Sequence, residues 1–162
     1  MNITMSIQKF LKRKFKKNIN TKESFLKKSL ISASVLSKLI NASQLNPSFD
    51  TIIKIADYFQ VSIDEVIGRK KYITPKPLFK HMCIYDVTNN LRIFIREQLC
   101  VLNISVYTLE KSCGIGDCTI MHFIKDNSTK KSLSTPIIIA LAQYFNISID
   151  RMIGRIAPAQ QY

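Results

Sequence analysis

Apolar residues recur at helical spacing along most of the chain. From Ser6 to Lys17 they fall on one side of a helix, at Ile7, Phe10, Leu11 and Phe15, and basic residues occupy the rest. The same period continues in residues 21–29, 32–41, 52–69, 88–102, 105–113, 116–125 and 135–155. Strand-like alternation is scarce. The pattern predicts an all-α protein, in which only Tyr72 to Tyr85 is expected to be partly extended.

One segment of the chain occurs twice. Residues Ile138 to Arg155 match Ile52 to Arg69 at 11 of 18 positions, where typical residue frequencies would give about one match by chance. We therefore predict a structural unit that is used twice. The predicted boundaries are a first domain at 1–71, a linker at 72–86, a second domain at 87–156 and a loose tail at 157–162. The sequence Thr-Pro-Lys-Pro at 74–77 predicts a stiff, extended linker.

The repeated segment carries helix signals. Ser62 and Ser148 each precede an apolar run, where a hydroxyl can accept the first free amide hydrogens, and Ser62 with Glu65 predicts a capping box. Asp64 and Asp150 are expected in the first turns, on the favourable side of the helix dipole. Gly68 and Gly154 are predicted to end the two helices.

Net charge is unevenly distributed. The whole chain carries +13, of which residues 1–72 carry +9 and the remainder +4. Such a balance favours nucleic acid or an anionic membrane surface as partner. Residues 1–22 contain no acid, so a transit peptide or a membrane-surface helix competes with a core helix that has a solvated basic face. We favour the core helix, because the first copy needs one, and we expect no membrane span since no apolar run approaches about 18 residues.

The cysteines and histidines predict little chemistry. Four cysteines form no Cys-x-x-Cys pair and follow no signal peptide, so a reducing, cytoplasmic compartment without disulfides is expected. His81 with Cys83, or Cys113 with Cys118, would be a weak zinc candidate. We expect neither metal nor cofactor. No catalytic triad, phosphate loop or spaced carboxylate pair is evident, so an enzyme is not expected.

The helices and their motifs resemble the phage-repressor (Cro-type, XRE) helix-turn-helix family. The features are five short helices, a tight turn between the second and third, and the run Pro-Ser-x-x-Thr-Ile-x-Lys-Ile-Ala followed by Val-Ser-x-Asp-Glu-Val-Ile-Gly. The resemblance covers Ile7 to Gly68 and Leu91 to Gly154. It implies two tandem five-helix lambda-repressor-like helix-turn-helix domains.

The resemblance also implies site residues in the first copy. This family docks its third helix in the major groove of double-stranded DNA, and the start of its second helix grips phosphate. Phosphate contacts are thereby implied for Thr21 and Lys22. Base-reading positions are implied on the third helix at Ala33, Ser34, Ser37 and Lys38, and Ser32 and Asn41 are further DNA-binding candidates at its two ends. Lys38 is the strongest of these, because a lysine there can reach a guanine edge or a phosphate.

The second copy differs at the same positions. They are Ser105, Gly116, Asp117, Cys118, His122 and Lys125, and this set either reads DNA or leaves the helix to bind protein through Met121 and Phe123. Leu30 stands where the family has a turn glycine, so we expect a reshaped turn. Glu110 stands where the family has a small residue, and it is expected to be partly exposed or paired.

The function implied is a sequence-specific, repressor-like transcriptional regulator, cytoplasmic and nucleoid-associated. Its linked copies would act as an intramolecular pseudo-dimer on two dissimilar half-sites, or the chain would form a homodimer. The rival hypothesis is a protein-interaction or antitoxin-like adaptor whose second domain binds a protein partner.

Overall fold

The computed structural model describes residues 2–17, 22–73, 79–126 and 132–156, and the backbone divides into two compact units, Met1–Phe79 and Lys80–Tyr162. The described part is helical and contains no β-strand, which confirms the all-α prediction. The predicted linker at 74–77, most of the loop after Asp126, and the tail lie outside the described residues. The described residues of the first unit form the α-helices α1 Ile3–Lys17, α2 Lys22–Ser29, α3 Ala33–Ile40, α4 Phe49–Phe59 and α5 Ile63–Ile67, followed by a short 3-10 helix at Lys70–Tyr72. The second has α6 Ile84–Leu102, α7 Val106–Cys113, α8 Thr119–Lys125, α9 Thr135–Tyr144 and α10 Ile149–Met152.

Three helices begin earlier than predicted, and each has a local cause. α1 begins at Ile3, where the Asn2 side chain accepts a hydrogen bond from the Met5 amide at 3.1 Å. α4 begins at Phe49, before the apolar period that starts at Ile52, because Ser48 accepts from the Thr51 amide at 3.2 Å. α6 begins at Ile84, so Tyr85 is helical, while Ile73 and Cys83 have the extended backbone expected in part of this stretch.

The core of the first unit buries the apolar side of α1. Ile7 and Leu11 are 0% exposed and Phe10 is 3% exposed. Phe10 also belongs to an aromatic cluster whose neighbouring ring centroids lie between 4.8 and 6.0 Å apart; the cluster consists of Phe10, Phe15, Phe25, Tyr58 and Phe59. Because this apolar side is already packed, it is not available to lie in a membrane surface, and α1 is the core helix favoured by the sequence. No helix in the described ranges combines the length and apolar character needed to cross a membrane.

The second unit has a core of the same kind. Leu91, Ile95, Leu109 and Ile120 are fully buried. Leu102, in contrast, is 47% exposed. It is the last residue of α6, and Asn103 turns the chain away with left-handed backbone at φ 49°.

The predicted caps at the last helix of each unit are present. Ser62 accepts from the Glu65 amide at 3.0 Å, and Ser148 accepts from the Arg151 amide at 3.3 Å. Gly68 and Gly154 then take positive φ, 85° and 73°. The Glu65 carboxylate reaches α1, where it pairs with Arg13 at 3.0 Å.

Each unit ends on a buried ion pair that the sequence analysis missed. Arg69 Nη1 lies 2.6 Å from Asp64 Oδ1, and Arg155 Nη1 lies 2.6 Å from Asp150 Oδ1. Asp64, Asp150 and Arg155 are 0% exposed, and Arg69 is 7% exposed. The arginine that follows each closing glycine therefore ties the backbone just after the last α-helix of the unit back onto that helix.

Candidate nucleic-acid interface

α2 and α3 form a helix-turn-helix in which the turn contains one left-handed residue. Leu30 has φ 56° and is 80% exposed, while Ile31 after it is buried. The equivalent residue of the second unit is Gly114 at φ 63°. The leucine therefore adopts the glycine conformation itself, and the expectation of a reshaped turn is wrong.

The outward side of α3 is accessible along its whole length. We call this surface the α3 outer face, and its residues, all exposed, are Ser32, Ala33, Ser34, Ser37, Lys38 and Asn41. The opposite side buries Leu36 and Leu39, which are 3% and 0% exposed. Ser32 caps the helix by accepting from the Val35 amide at 3.3 Å. The structure thus brings together every predicted third-helix residue of the first unit on one open surface.

The chemistry of the α3 outer face is small, polar and cationic. Its residues include no acid, and the Lys38 ammonium has no ion-pair partner among the described residues. The Asn41 amide lies 3.5 Å from the Ser37 hydroxyl. Short side chains let the helix backbone approach another surface closely, while the lysine and the amide offer hydrogen-bond donors.

Two residues of α1 that the sequence analysis missed hold α3 in place. Gln8 Nε2 donates to the Ile40 carbonyl at 2.7 Å, at the end of α3. The buried Thr4 hydroxyl lies 2.8 Å from the Gln44 carbonyl and 2.9 Å from the Leu45 carbonyl, in the loop that follows. These bonds join positions 32 to 41 residues apart, so no local pattern could have revealed them.

The start of α2 carries only part of its predicted site. Lys22 is exposed at the first position of the helix, and Glu23 is next to it. Thr21 lies outside the described residues. Lys22 and the α3 outer face belong to the same helix-turn-helix.

In the second unit, a buried carboxylate occupies the start of α8. Glu110 of α7 is 2% exposed. Its two oxygens accept from the backbone amides of Cys118 at 3.1 Å, Ile120 at 2.6 Å and Met121 at 3.3 Å. Of the two expected alternatives, partly exposed or paired, the structure shows the second, and the partners are the free amides of a helix start.

The front of α8 departs from the predicted helix. Gly116, Asp117 and Cys118 precede α8 instead of opening it, and Cys118 has left-handed backbone at φ 63° with no side-chain cap. The Asp117 carboxylate lies 3.2 Å from Lys111. Glu110 supplies the cap that Ser32 supplies to α3, so the chain enters α8 by a different route. The prediction that residues 116–118 occupy positions like those of α3 is wrong.

The remaining predicted residues of the second unit are accessible. His122 and Lys125 are exposed on α8, and Ser105 caps α7 by accepting from the Thr108 amide at 3.1 Å. Burial raises the pKa of the Cys113 thiol, so less of it is in the thiolate form that reacts or binds metal. Across the described ranges, no group of three His, Cys, Asp or Glu side chains is placed to hold a metal ion.

Comparison with known proteins matches the first unit to a family. A helix-turn-helix family model matches residues 11–66. An uncharacterized HTH-type transcriptional regulator of Rickettsia prowazekii (strain Madrid E) is 33% identical over 73 residues, which cover 43% of this chain and 79% of that protein. The chain belongs to the helix-turn-helix family. A second such regulator, from Rickettsia conorii (strain ATCC VR-613 / Malish 7), is 33% identical over 73 residues, or 43% of this chain and 67% of that protein. No solved structure matches the chain.

The helix-turn-helix match spans the elements that build the candidate interface. It begins within α1, contains α2, the turn and α3, and ends within α5. The α3 outer face and Lys22 both fall inside it.

Proposed function

We propose that this protein is a sequence-specific, DNA-binding transcriptional regulator whose first unit inserts α3 into the major groove. The observation that carries the proposal is the α3 outer face, which is exposed from Ser32 to Asn41, contains no acid and lies within a helix-turn-helix. Lys38 is the proposed base or phosphate contact, with Ser34, Ser37 and Asn41 as shorter donors and acceptors. Lys22, with Thr21, is the proposed phosphate grip at the start of α2. A regulator of this kind would be found on the nucleoid in the cytoplasm.

We further propose that the two units are tandem helix-turn-helix domains. The support is the repeated sequence, the shared order of five helices, and the repeated ion pair that closes each unit. If both units engage DNA, tethering makes the second contact intramolecular, and unlike helices α3 and α8 would read dissimilar half-sites. A homodimer of the chain is the other way to read two half-sites.

The test begins with selection of a preferred duplex from random sequences by the full chain. Lys38→Ala is then compared with the unchanged chain by fluorescence anisotropy on the preferred and on a random duplex. A lost base contact lowers affinity for the preferred duplex by about 5- to 150-fold and leaves the random duplex less affected, whereas a lost phosphate contact weakens both equally.

The matched control is Arg151→Ala, which removes one exposed cation from α10, a helix that carries none of the proposed contacts. Its affinities should stay within about twofold of the unchanged chain. If the Lys38→Ala variant binds both duplexes as the unchanged chain does, α3 is not the reading helix.

A second candidate function concerns the second unit, for which we propose binding to a protein partner. The supporting observation is the start of α8, where Glu110 already occupies the amides and Asp117 would repel a phosphate. Val101 and Tyr107, at 74% and 62% exposure, add apolar surface to this unit. If His122→Ala and Lys125→Ala leave duplex affinity unchanged, the protein-binding candidate is favoured. A loss comparable with that of Lys38→Ala would instead make α8 a DNA contact.

A further inference from the structure

We propose that the first unit has a second DNA contact surface, on the side of α1 that faces away from the core. Its residues are Lys9, Lys12 and Lys16, which we call the α1 lysine face. They would bind backbone phosphates of duplex DNA without regard to sequence, beyond the base contacts assigned to α3. This inference rests on the proposed function only in that duplex DNA is the ligand.

The spacing of the three lysines fits a row of phosphates. Positions 9, 12 and 16 are separated by three and four residues, so all three lie on one side of the helix. All are exposed. Lys9 and Lys16 are about 10 Å apart along the axis of α1. Each DNA strand presents a phosphate about every 3.4 Å along the duplex axis.

These cations are not engaged within the described part of the unit. Arg13 and Lys14 lie 3.0 and 3.8 Å from Glu65, whereas Lys9, Lys12 and Lys16 have no acidic partner among the described residues. α1 itself contains no acid. Like charges three and four residues apart destabilise a helix by a few tenths of a kcal/mol per pair, and a bound polyanion would relieve that repulsion.

The second unit provides an internal comparison, because α6 occupies the place of α1. A side chain added at Gly68 would meet Ser6 of α1, and one added at Gly154 would meet Asn90 of α6, 84 residues later than Ser6. Arg92 Nε donates to the Phe123 carbonyl near the end of α8 at 2.9 Å, as Gln8 donates to the end of α3. The two helices are therefore equivalent at an offset of 84 residues.

At this offset the α1 lysine face becomes Ile93, Arg96 and Cys100, and Arg13 becomes Glu97. The same helix packs in the same place without a row of lysines, so the fold does not require them. Their presence on α1 alone coincides with the unit whose α3 outer face is also free of acid. Both surfaces belong to one rigid body, since Gln8 and Thr4 fasten α1 to α3 and to the loop after it.

The test is the full chain with Lys9→Gln, Lys12→Gln and Lys16→Gln together, measured by fluorescence anisotropy from 50 to 200 mM salt. Each lost phosphate contact lowers the slope of log affinity against log salt by about 0.9, so three lower it by about 2.7. Over this fourfold salt range, the affinity of the unchanged chain should therefore fall about 40-fold more than that of the variant. The ratio of preferred to random affinity should not change, because phosphate contacts carry no sequence information.

The charge-matched control is Lys80→Gln, Lys111→Gln and Arg151→Gln, three exposed cations of the second unit. This control should keep the slope of log affinity against log salt seen for the unchanged chain. If the control loses as much slope as the α1 triple variant, the change reflects net charge alone and the inference is overturned. A triple variant of α1 with unchanged slope and normal helical circular dichroism would overturn it as well. The inference would also be overturned if the α1 triple variant lost binding to vesicles of anionic phospholipid while its duplex binding stayed intact, since the lysines would then serve a membrane.

Comparing Lys38→Ala with the α1 triple variant distinguishes failure of this inference from failure of the proposed function. If Lys38→Ala abolishes sequence preference while the α1 triple variant matches the unchanged chain, only the inference fails. If the α1 variant loses salt dependence while no duplex is preferred and Lys38→Ala has no effect, reading by α3 fails and the α1 lysine face stands.

Discussion

Replacing Arg155 by alanine should unfold the second unit or bring it close to unfolding. Arg155 and Asp150 are both 0% exposed and their charged atoms are 2.6 Å apart. The substitution leaves a carboxylate inside the unit without its cation. It also removes the arginine stem that packs there.

The expected loss is large compared with the stability of a unit of this size. Breaking a buried ion pair from one side costs about 3–5 kcal/mol, because the remaining charge stays desolvated. At about 0.05–0.15 kcal/mol per residue, a unit of about 80 residues has a free energy of unfolding of roughly 4–12 kcal/mol. Arg155→Ala therefore removes from a quarter to all of it. Arg69→Ala should do the same to the first unit, where the pair with Asp64 has the same distance.

The assay is hydrogen exchange of the full chain followed by mass spectrometry, because its peptides report on each unit separately. Peptides of α9 and α10 should lose protection in Arg155→Ala. The decisive comparison is Asp150→Asn with Arg155→Met, which removes both charges and should recover at least half of the lost free energy. If this double variant is as unstable as the single one, the loss comes from packing and not from an unpaired charge. A loss below about 1 kcal/mol in Arg155→Ala would refute the argument altogether.

Two further predictions concern the turns and the start of α8. Leu30→Gly should stabilise the first unit by about 0.5 kcal/mol. It relieves about 1–2 kcal/mol of left-handed backbone strain and adds about 0.5–1 kcal/mol of conformational entropy to the unfolded chain. Gly114→Ala, with no atom within 4 Å of the new Cβ, should destabilise the second unit by about 1 kcal/mol. Urea denaturation measures both, and equal signs would contradict the strain argument. Glu110→Ala should cost about 2–4 kcal/mol and speed amide exchange at residues 118–121, with Glu110→Gln intermediate because it keeps one acceptor oxygen.

Most of the fold follows from patterns within a few residues of each other. The helical period placed α1 to α3, the serines at 32, 62 and 148 mark helix starts, and the glycines at 68 and 154 adopt the positive φ expected of helix ends. These signals are local in their physics: a cap needs only a hydroxyl and an amide three residues on. The apolar period alone does not mark the start of α4, because the cap at Ser48 precedes the first residue of that period at Ile52.

The features that were missed depend on contacts between distant segments or on the geometry of a chain reversal. Glu110 contacts amides 8 to 11 residues later because α8 has no cap of its own. Gln8 and Thr4 act across more than 30 residues. The sequence contained one usable hint for the ion pairs, namely that an aspartate and an arginine recur five residues apart in both copies of the repeat. A repeated pair of opposite charges in an otherwise apolar segment indicates a shared structural role.

The repeat separates residues that serve the fold from residues that serve a surface. Many positions alike in both units are buried, as with Ile7 and Leu91, Ser62 and Ser148, and Arg69 and Arg155. Positions that differ lie mostly outside, where Lys9 of α1 becomes Ile93 of α6. Glu110 is the instructive exception, because it is buried and yet differs from Leu26. By capping α8, Glu110 changes how the chain enters that helix. The two units can therefore each have the same kind of core and still present unlike surfaces.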